Sequence, residues 1–114
     1  MAAEKKALWV VFKPDKLEDL AEMRKKFISG YSIFKEMLGL ISKCWWCDSE
    51  KGEWGAFYIF NSNEDLQAYI KSDLWINKVP AKYGCKPRIV AILDPGPILS
   101  KTTVTHGENS WISE

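Results

Sequence analysis

The strand-like segments of this chain carry apolar side chains on both of their faces, and that limits what it can fold into. Residues 7–13 (Ala-Leu-Trp-Val-Val-Phe-Lys) are β-branched, aromatic and almost continuously apolar, the pattern of a strand buried on both sides and central in its sheet. Residues 40–47, 53–60 and 88–93 read as three further strands. Successive side chains of a strand point to opposite sides. In the first strand Leu8, Val10 and Phe12 oppose Trp9, Val11 and Lys13. In the third, Trp54, Ala56, Tyr58 and Phe60 oppose Gly55, Phe57 and Ile59. In the fourth, Arg88, Val90 and Ile92 oppose Ile89, Ala91 and Leu93. Neither face is consistently polar. A chain of 114 residues is one ordinary domain and cannot cover both sides of such a sheet. A large bare apolar face marks an interface or a ligand site. A two-fold homodimer packed sheet against sheet is the simplest cover; the alternative is a monomer whose C-terminal tail folds back over the open face.

The segments between the strands have a helical period. Pro14 stops the first strand, and Asp15 with Glu18 three residues on predicts a capping box. From Leu17 an apolar stripe runs through Leu20, Ala21, Phe27, Ile28, Tyr31, Phe34 and Leu38. Ser29-Gly30 predicts a kink or a two-piece helix, and Gly39 its end. Asp48 to Gly52 is a turn of hairpin length. Ser62 and Asp65 restart a helix with Leu66, Tyr69 and Ile70 inside. A second piece, Asp73 to Val79, is expected to bury Trp75, Ile76 and Val79 and to close at Pro80. The order β-α-β-β-α-β predicts an α+β, ferredoxin-like fold: an antiparallel four-stranded sheet, strands one and three central, helices on one face. The domain is expected over residues 1–100, with 101–114 a polar tail serving as a lid or a partner-crossing arm.

Charge and cysteines narrow the partners. Sixteen Lys+Arg against fifteen Asp+Glu leave +1, so neither nucleic acid nor a membrane surface is expected as partner. The first apolar run, Ala7 to Phe12, is too short for a signal core or a membrane span. Three cysteines form no closed disulfide set. The expected location is cytoplasmic, with reduced thiols.

Four segments stand out on this topology: Gly39-Leu40-Ile41-Ser42-Lys43-Cys44-Trp45, the Ser49-Glu50-Lys51 turn, Gly55-Ala56-Phe57-Tyr58-Ile59-Phe60 and Ala68-Tyr69-Ile70. In them the chain resembles the dimeric α+β-barrel superfamily, and within it the small mono-oxygenases related to the antibiotic-biosynthesis mono-oxygenases. The likeness spans residues 7 to about 100 and is densest over 39–70. It implies a homodimeric barrel, a hydrophobic cavity, and often oxygenation of polycyclic phenols without flavin, haem or metal. Sister families cyclise, isomerise or decarboxylate similar substrates.

The candidate site residues follow. Cys44-Trp45-Trp46-Cys47 has the spacing of a zinc half-site or a redox pair. In a strand its thiols point to opposite faces, and no second ligand pair exists, so no metal is expected. Trp45, Trp46, Trp54 and Trp9 are candidates for stacking a flat substrate. Trp45 and Trp46 point oppositely, so only one of them faces a given cavity. Arg88 and Lys43 are cations within strands that could hold a phenolate or enolate. Tyr58 or His106 would move the proton. No phosphate loop, Gly-x-Ser-x-Gly elbow or paired acidic motif is present.

Three functions are therefore expected in order. The first is a cofactor-free mono-oxygenase acting with O₂ on a hydrophobic, aromatic or polyketide-like small molecule. The second is a cyclase, isomerase or decarboxylase using the same cavity. The third is a non-catalytic dimeric binding or stress-response module.

Overall fold

The computed structural model describes residues 4–99. Its strands are β1 (Lys6–Phe12), β2 (Leu40–Asp48), β3 (Glu53–Phe60) and β4 (Pro87–Leu93). The helices are α1 (Leu20–Ser29), α2 (Tyr31–Lys35), α3 (Asn63–Ile70) and α4 (Val79–Tyr83), with a π-helical turn at Leu74–Lys78 running into α4. The sheet order is β2-β3-β1-β4, with every neighbouring pair antiparallel. This is the ferredoxin-like α+β arrangement, with β1 and β3 central. The tail 101–114 and His106 lie outside the described residues.

One face of the sheet builds the core with the helices. Leu8, Val10 and Phe12 of β1 and Trp54, Ala56, Tyr58 and Phe60 of β3 are all buried there. Met23 and Phe27 descend from α1, Leu66 and Tyr69 from α3, Trp75 from the π turn and Val79 from α4. Each large side chain so buried contributes roughly 1.5–3 kcal/mol of hydrophobic stabilisation.

Local chemistry sets the helix ends, and it departs from expectation at two places. Helix α1 starts at Leu20, capped by Asp19, whose carboxylate accepts the Glu22 N–H at 2.9 Å. Asp19 and Glu22 repeat the spacing of Asp15 and Glu18, and the later pair caps because the chain must first cross from the strand end to the helix layer. The stripe shortens accordingly: Leu20 and Leu38 are exposed, while Met23 and Phe27 carry the contact. Gly30 divides α1 from α2 at the expected break. Ser62 caps α3 through its hydroxyl, which accepts the Asp65 N–H. Pro80 does not end its helix. It sits in the first turn of α4, where a missing N–H is tolerated, and the wider π turn precedes it. Ile76, expected inside, is exposed by that π turn.

Among the described residues the other face carries no helix. Register aligns Cys44, Phe57, Trp9 and Ala91 in one row across all four strands. Trp9 and Phe57, in the middle of that row, are 40% and 36% exposed, and Leu93 beside it is 42% exposed. The face is partly self-covered: Trp46 folds over Gly55, and Ala7, Val11 and Ile59 are buried. In β4 simple alternation fails. A register shift between Trp9 and Val10 puts Arg88 opposite Val11 and Ile92 opposite Leu8, so these two residues lie on different faces.

Gly55 is required by packing. A Cβ there would sit 2.5 Å from the Trp46 ring and against the Val10 carbonyl. Gly55→Ala should therefore destabilise the fold by about 1–3 kcal/mol or more. Denaturant unfolding measures it, and Trp46→Ala should rescue only part, because the Val10 backbone remains.

Candidate active site

The alternation of β2 and β3 decides which side chains meet under the helices. Cross-strand partners are Lys43 with Tyr58, Trp45 with Ala56, and Cys47 with Trp54, so these residues share the helix-covered face. Between them and α1, α2, the π turn and α4 lies a cavity of about 120 Å³. Its floor is a run of rings. Phe12 stacks on Trp54 at 3.9 Å and 7°. Trp54 meets Tyr83 of α4 at 4.2 Å, and Phe27 meets Trp45 at 5.9 Å.

Lys43 brings the charge. Its Nζ stands 3.1 Å from the centre of the Phe34 ring, 4.3 Å from Trp45 and 4.7 Å from Tyr58. No carboxylate or carbonyl among the described residues is within hydrogen-bonding reach of it. Burial, with a smaller push from the Lys82 charge, holds its pKa well below the ordinary 10.5. The negative ring faces work in the opposite sense and favour the ammonium.

Tyr58 is the other polar group of the floor. Its hydroxyl shares a 2.9 Å hydrogen bond with Tyr69, and both residues are buried. Burial pushes the Tyr58 pKa well above 10.0, so the pair stays neutral at physiological pH. Lys82 lies at the mouth, donating to the Lys26 carbonyl at 3.0 Å and the Ser29 hydroxyl at 2.6 Å. Lys78 lines the cavity one turn earlier.

Of the residues singled out in the sequence, Lys43, Tyr58, Trp45 and Trp54 come together here. Trp9 and Arg88 project from the helix-free face, as does Trp46, away from this cavity. His106 is outside the described residues. Cys44 and Cys47 pair with Phe57 and Trp54 on opposite faces, as strand alternation requires. The sequence places Phe34 only in the apolar helical stripe, and it does not single out Lys78, Lys82 or Tyr83. A signal for the last three exists: lysines four residues apart, then Tyr83 and Gly84, make a helix C-terminus, and Gly84 adopts the left-handed cap.

The fold is an α+β domain of the ferredoxin-like class, with a ring-floored cavity between its sheet and its helices. The profile of the family described as Putative mono-oxygenase ydhR matches residues 12–91, and the chain belongs to that family. Similar solved structures include a mutant of SnoaB, a cofactor-independent oxygenase from Streptomyces nogalater. It aligns with a TM-score of 0.62 and 11% identity over 87% of this chain and 100% of that one. The NE2512 protein of unknown function from Nitrosomonas europaea aligns at 0.60 with 16% identity, covering 92% of this chain and 100% of its own. YJCS aligns at 0.56 with 10% identity over 83% and 100%. At such identities the likeness is one of fold. No curated protein matches the chain. No helix of the described residues is long and apolar enough to cross a membrane.

A half-buried lysine with no ion-pair partner among the described residues weakens the fold that holds it. The unfolded chain binds the Lys43 proton more tightly than the folded one, so stability rises with pH between the folded value and 10.5. Lys43→Met should therefore be more stable than wild type at pH 7, by about 1–3 kcal/mol. The gain should be full below the folded value and vanish above 10.5. Urea unfolding of both proteins across that range measures it.

Proposed function

We propose that the chain is a cofactor-independent mono-oxygenase of electron-rich, hydrophobic aromatic molecules that ionise to a phenolate or enolate, polyketide-like compounds among them. The observation that carries this reading is Lys43: a cation on an aromatic floor, with no carboxylate beside it among the described residues, facing a cavity. Such a group suits an anion that forms inside the cavity. In its neutral form the amine takes the substrate's acidic proton. The ammonium so made stays beside the oxyanion, where a low dielectric strengthens their attraction. The deprotonated ring or enol gives one electron to O₂, and the resulting pair joins at carbon as a peroxide. Loss of water leaves a new carbonyl, so that CH₂ plus O₂ becomes C=O plus H₂O. The protein contributes proton control, positioning and exclusion of water. Trp45 and Trp54 hold the flat ring, and Tyr58, tied to Tyr69, stays a neutral wall and proton donor. His106 is the second candidate for returning the proton. Family membership and the fold shared with SnoaB support the oxygenase reading.

The helix-free face has a separate part in the proposal. Its row of Trp9 and Phe57, with Leu93 and Trp46 beside it, is covered by a second copy of the chain. Arg88 then belongs to the rim of that interface.

With a single-ring quinol as substrate, wild type should consume one O₂ per product. Lys43→Met should lose about 10²-fold or more in kcat/KM, and Arg88→Gln should lose little. Equal rates in Lys43→Met would defeat the assignment of the base. Product formed under strict anaerobiosis would move the reading to a cyclase, isomerase or decarboxylase. Ligand-induced Trp quenching without turnover over a broad panel would move it to a binding module.

Light scattering at micromolar concentration should give the mass of two chains, reduced to one by Phe57→Lys. A wild-type protein that scatters as a single chain would remove the dimer from the proposal.

A further inference from the structure

The cavity's charge and its size point to more than a phenol. Lys43, Lys78 and Lys82 line it, and among the described residues no Asp or Glu does. The chain as a whole is balanced at +1, so this local excess is not a consequence of composition. Of the nearby acids, Glu18 pairs with Lys26 at 2.9 Å, and Asp73 accepts from the Asn77 amide at 2.8 Å while standing 4.0 Å from the exposed Lys78, a loose pair that leaves most of that ammonium to solvent.

The cations occupy two levels. Lys43 is deep, on the ring floor. Lys82 is at the mouth, its Nζ facing Gly30 at the end of α1. An ammonium has three donors. Lys82 gives one to the Lys26 carbonyl and one to the Ser29 hydroxyl, which leaves one unused. Lys43 gives none to any described residue. The Lys82 charge also lowers the Lys43 pKa, so the two ammonium groups sense each other.

Size then fixes the direction of entry. An apolar cavity of about 150 Å³ accommodates a benzene ring. The volume here is about 120 Å³, which is room for one ring and no fused system. Whatever the substrate carries beyond its reacting ring must lie in the mouth, beside Lys82 and Lys78.

We infer that the substrate is an aromatic hydroxy-acid that enters ring first, its hydroxyl toward Lys43 and its carboxylate at the mouth on Lys82 and Lys78. The inference rests on the proposed oxygenase site for the reacting ring, and on the mouth lysines alone for the acid group.

The test measures binding, not turnover, so the two readings can fail separately. Homogentisate, a quinol with a carboxylate arm, and its methyl ester are titrated under anaerobic conditions, read by quenching of tryptophan fluorescence. The acid should bind wild type about tenfold more tightly than the ester or better. Added salt should weaken the acid and leave the ester unmoved. In Lys78→Gln combined with Lys82→Gln the preference should fall toward one, with the ester's affinity unchanged. Because Lys82 also caps α1, Lys78→Gln alone, away from that cap, should show part of the same loss at an unchanged Tm. Equal affinity for the two probes, binding of neither, or parallel loss of both in the variants would overturn the inference. An acid preference without oxygen uptake would leave it standing and defeat the oxygenase reading. Oxygen uptake from neutral phenols without acid preference would do the reverse.

Discussion

One ammonium set among ring faces is the interaction on which the proposed chemistry rests. Phe34 comes from α2, Trp45 from β2 and Tyr58 from β3, and all three turn their faces to Lys43. Contacts of this kind are each worth about 0.5–2 kcal/mol. Withdrawing a cation from water costs several kcal/mol. The rings therefore offset part of the burial, and the rest must come from packing elsewhere. It is available in the Phe12–Trp54 stack and in the fully buried Leu8, Val10, Phe60 and Leu66. A charge held against stability, with no ion-pair partner among the described residues, is understandable where an anion is to be met.

Most of the fold was legible because strands and caps are short-range features. The four strands, the break at Gly30 and the Ser62 cap follow from alternation, glycine and a hydroxyl, all visible within a few residues. What stayed hidden depended on tertiary structure. Asp15 and Asp19 offer equivalent caps, and only the path between the layers selects Asp19. The bulge separating Arg88 from Ile92 belongs to the pairing of β4 with β1, and neither strand announces it. Pro80 resembles a stop until the π turn before it makes a helical start possible. The candidate site shows the same division. Lys43, Trp45, Trp54 and Tyr58 fall together because one hairpin register aligns them. Lys82 and Tyr83 arrive from a helix whose existence depends on that π turn, so a strand-by-strand reading passes over them.

The SnoaB comparison separates fold from chemistry. At 11% identity the two chains share an architecture, and an architecture of this kind hosts many activities. What distinguishes a reaction is what projects into the cavity. Here the lining has lysines and rings, and among the described residues no group of three or more His, Cys, Asp or Glu is placed to hold a metal ion. A lining of cations and ring faces favours a bound anion over its neutral form.

Adjacent residues of one strand serve both faces of the sheet, which ties the site to the helix-free side. Trp45 floors the cavity, while Trp46 turns the other way and folds over Gly55. A slip of β2 by one residue would exchange the two sets. Ser42, Cys44 and Trp46 would enter the core, and the Lys43 ammonium would leave its rings. The hydrophobic pattern alone guards weakly against that slip, because β2 has apolar residues on both sides. The fit of a large indole into the space left by a missing Cβ is specific to one register. Gly55 and Trp46, on the face away from the chemistry, thereby set where Lys43 stands.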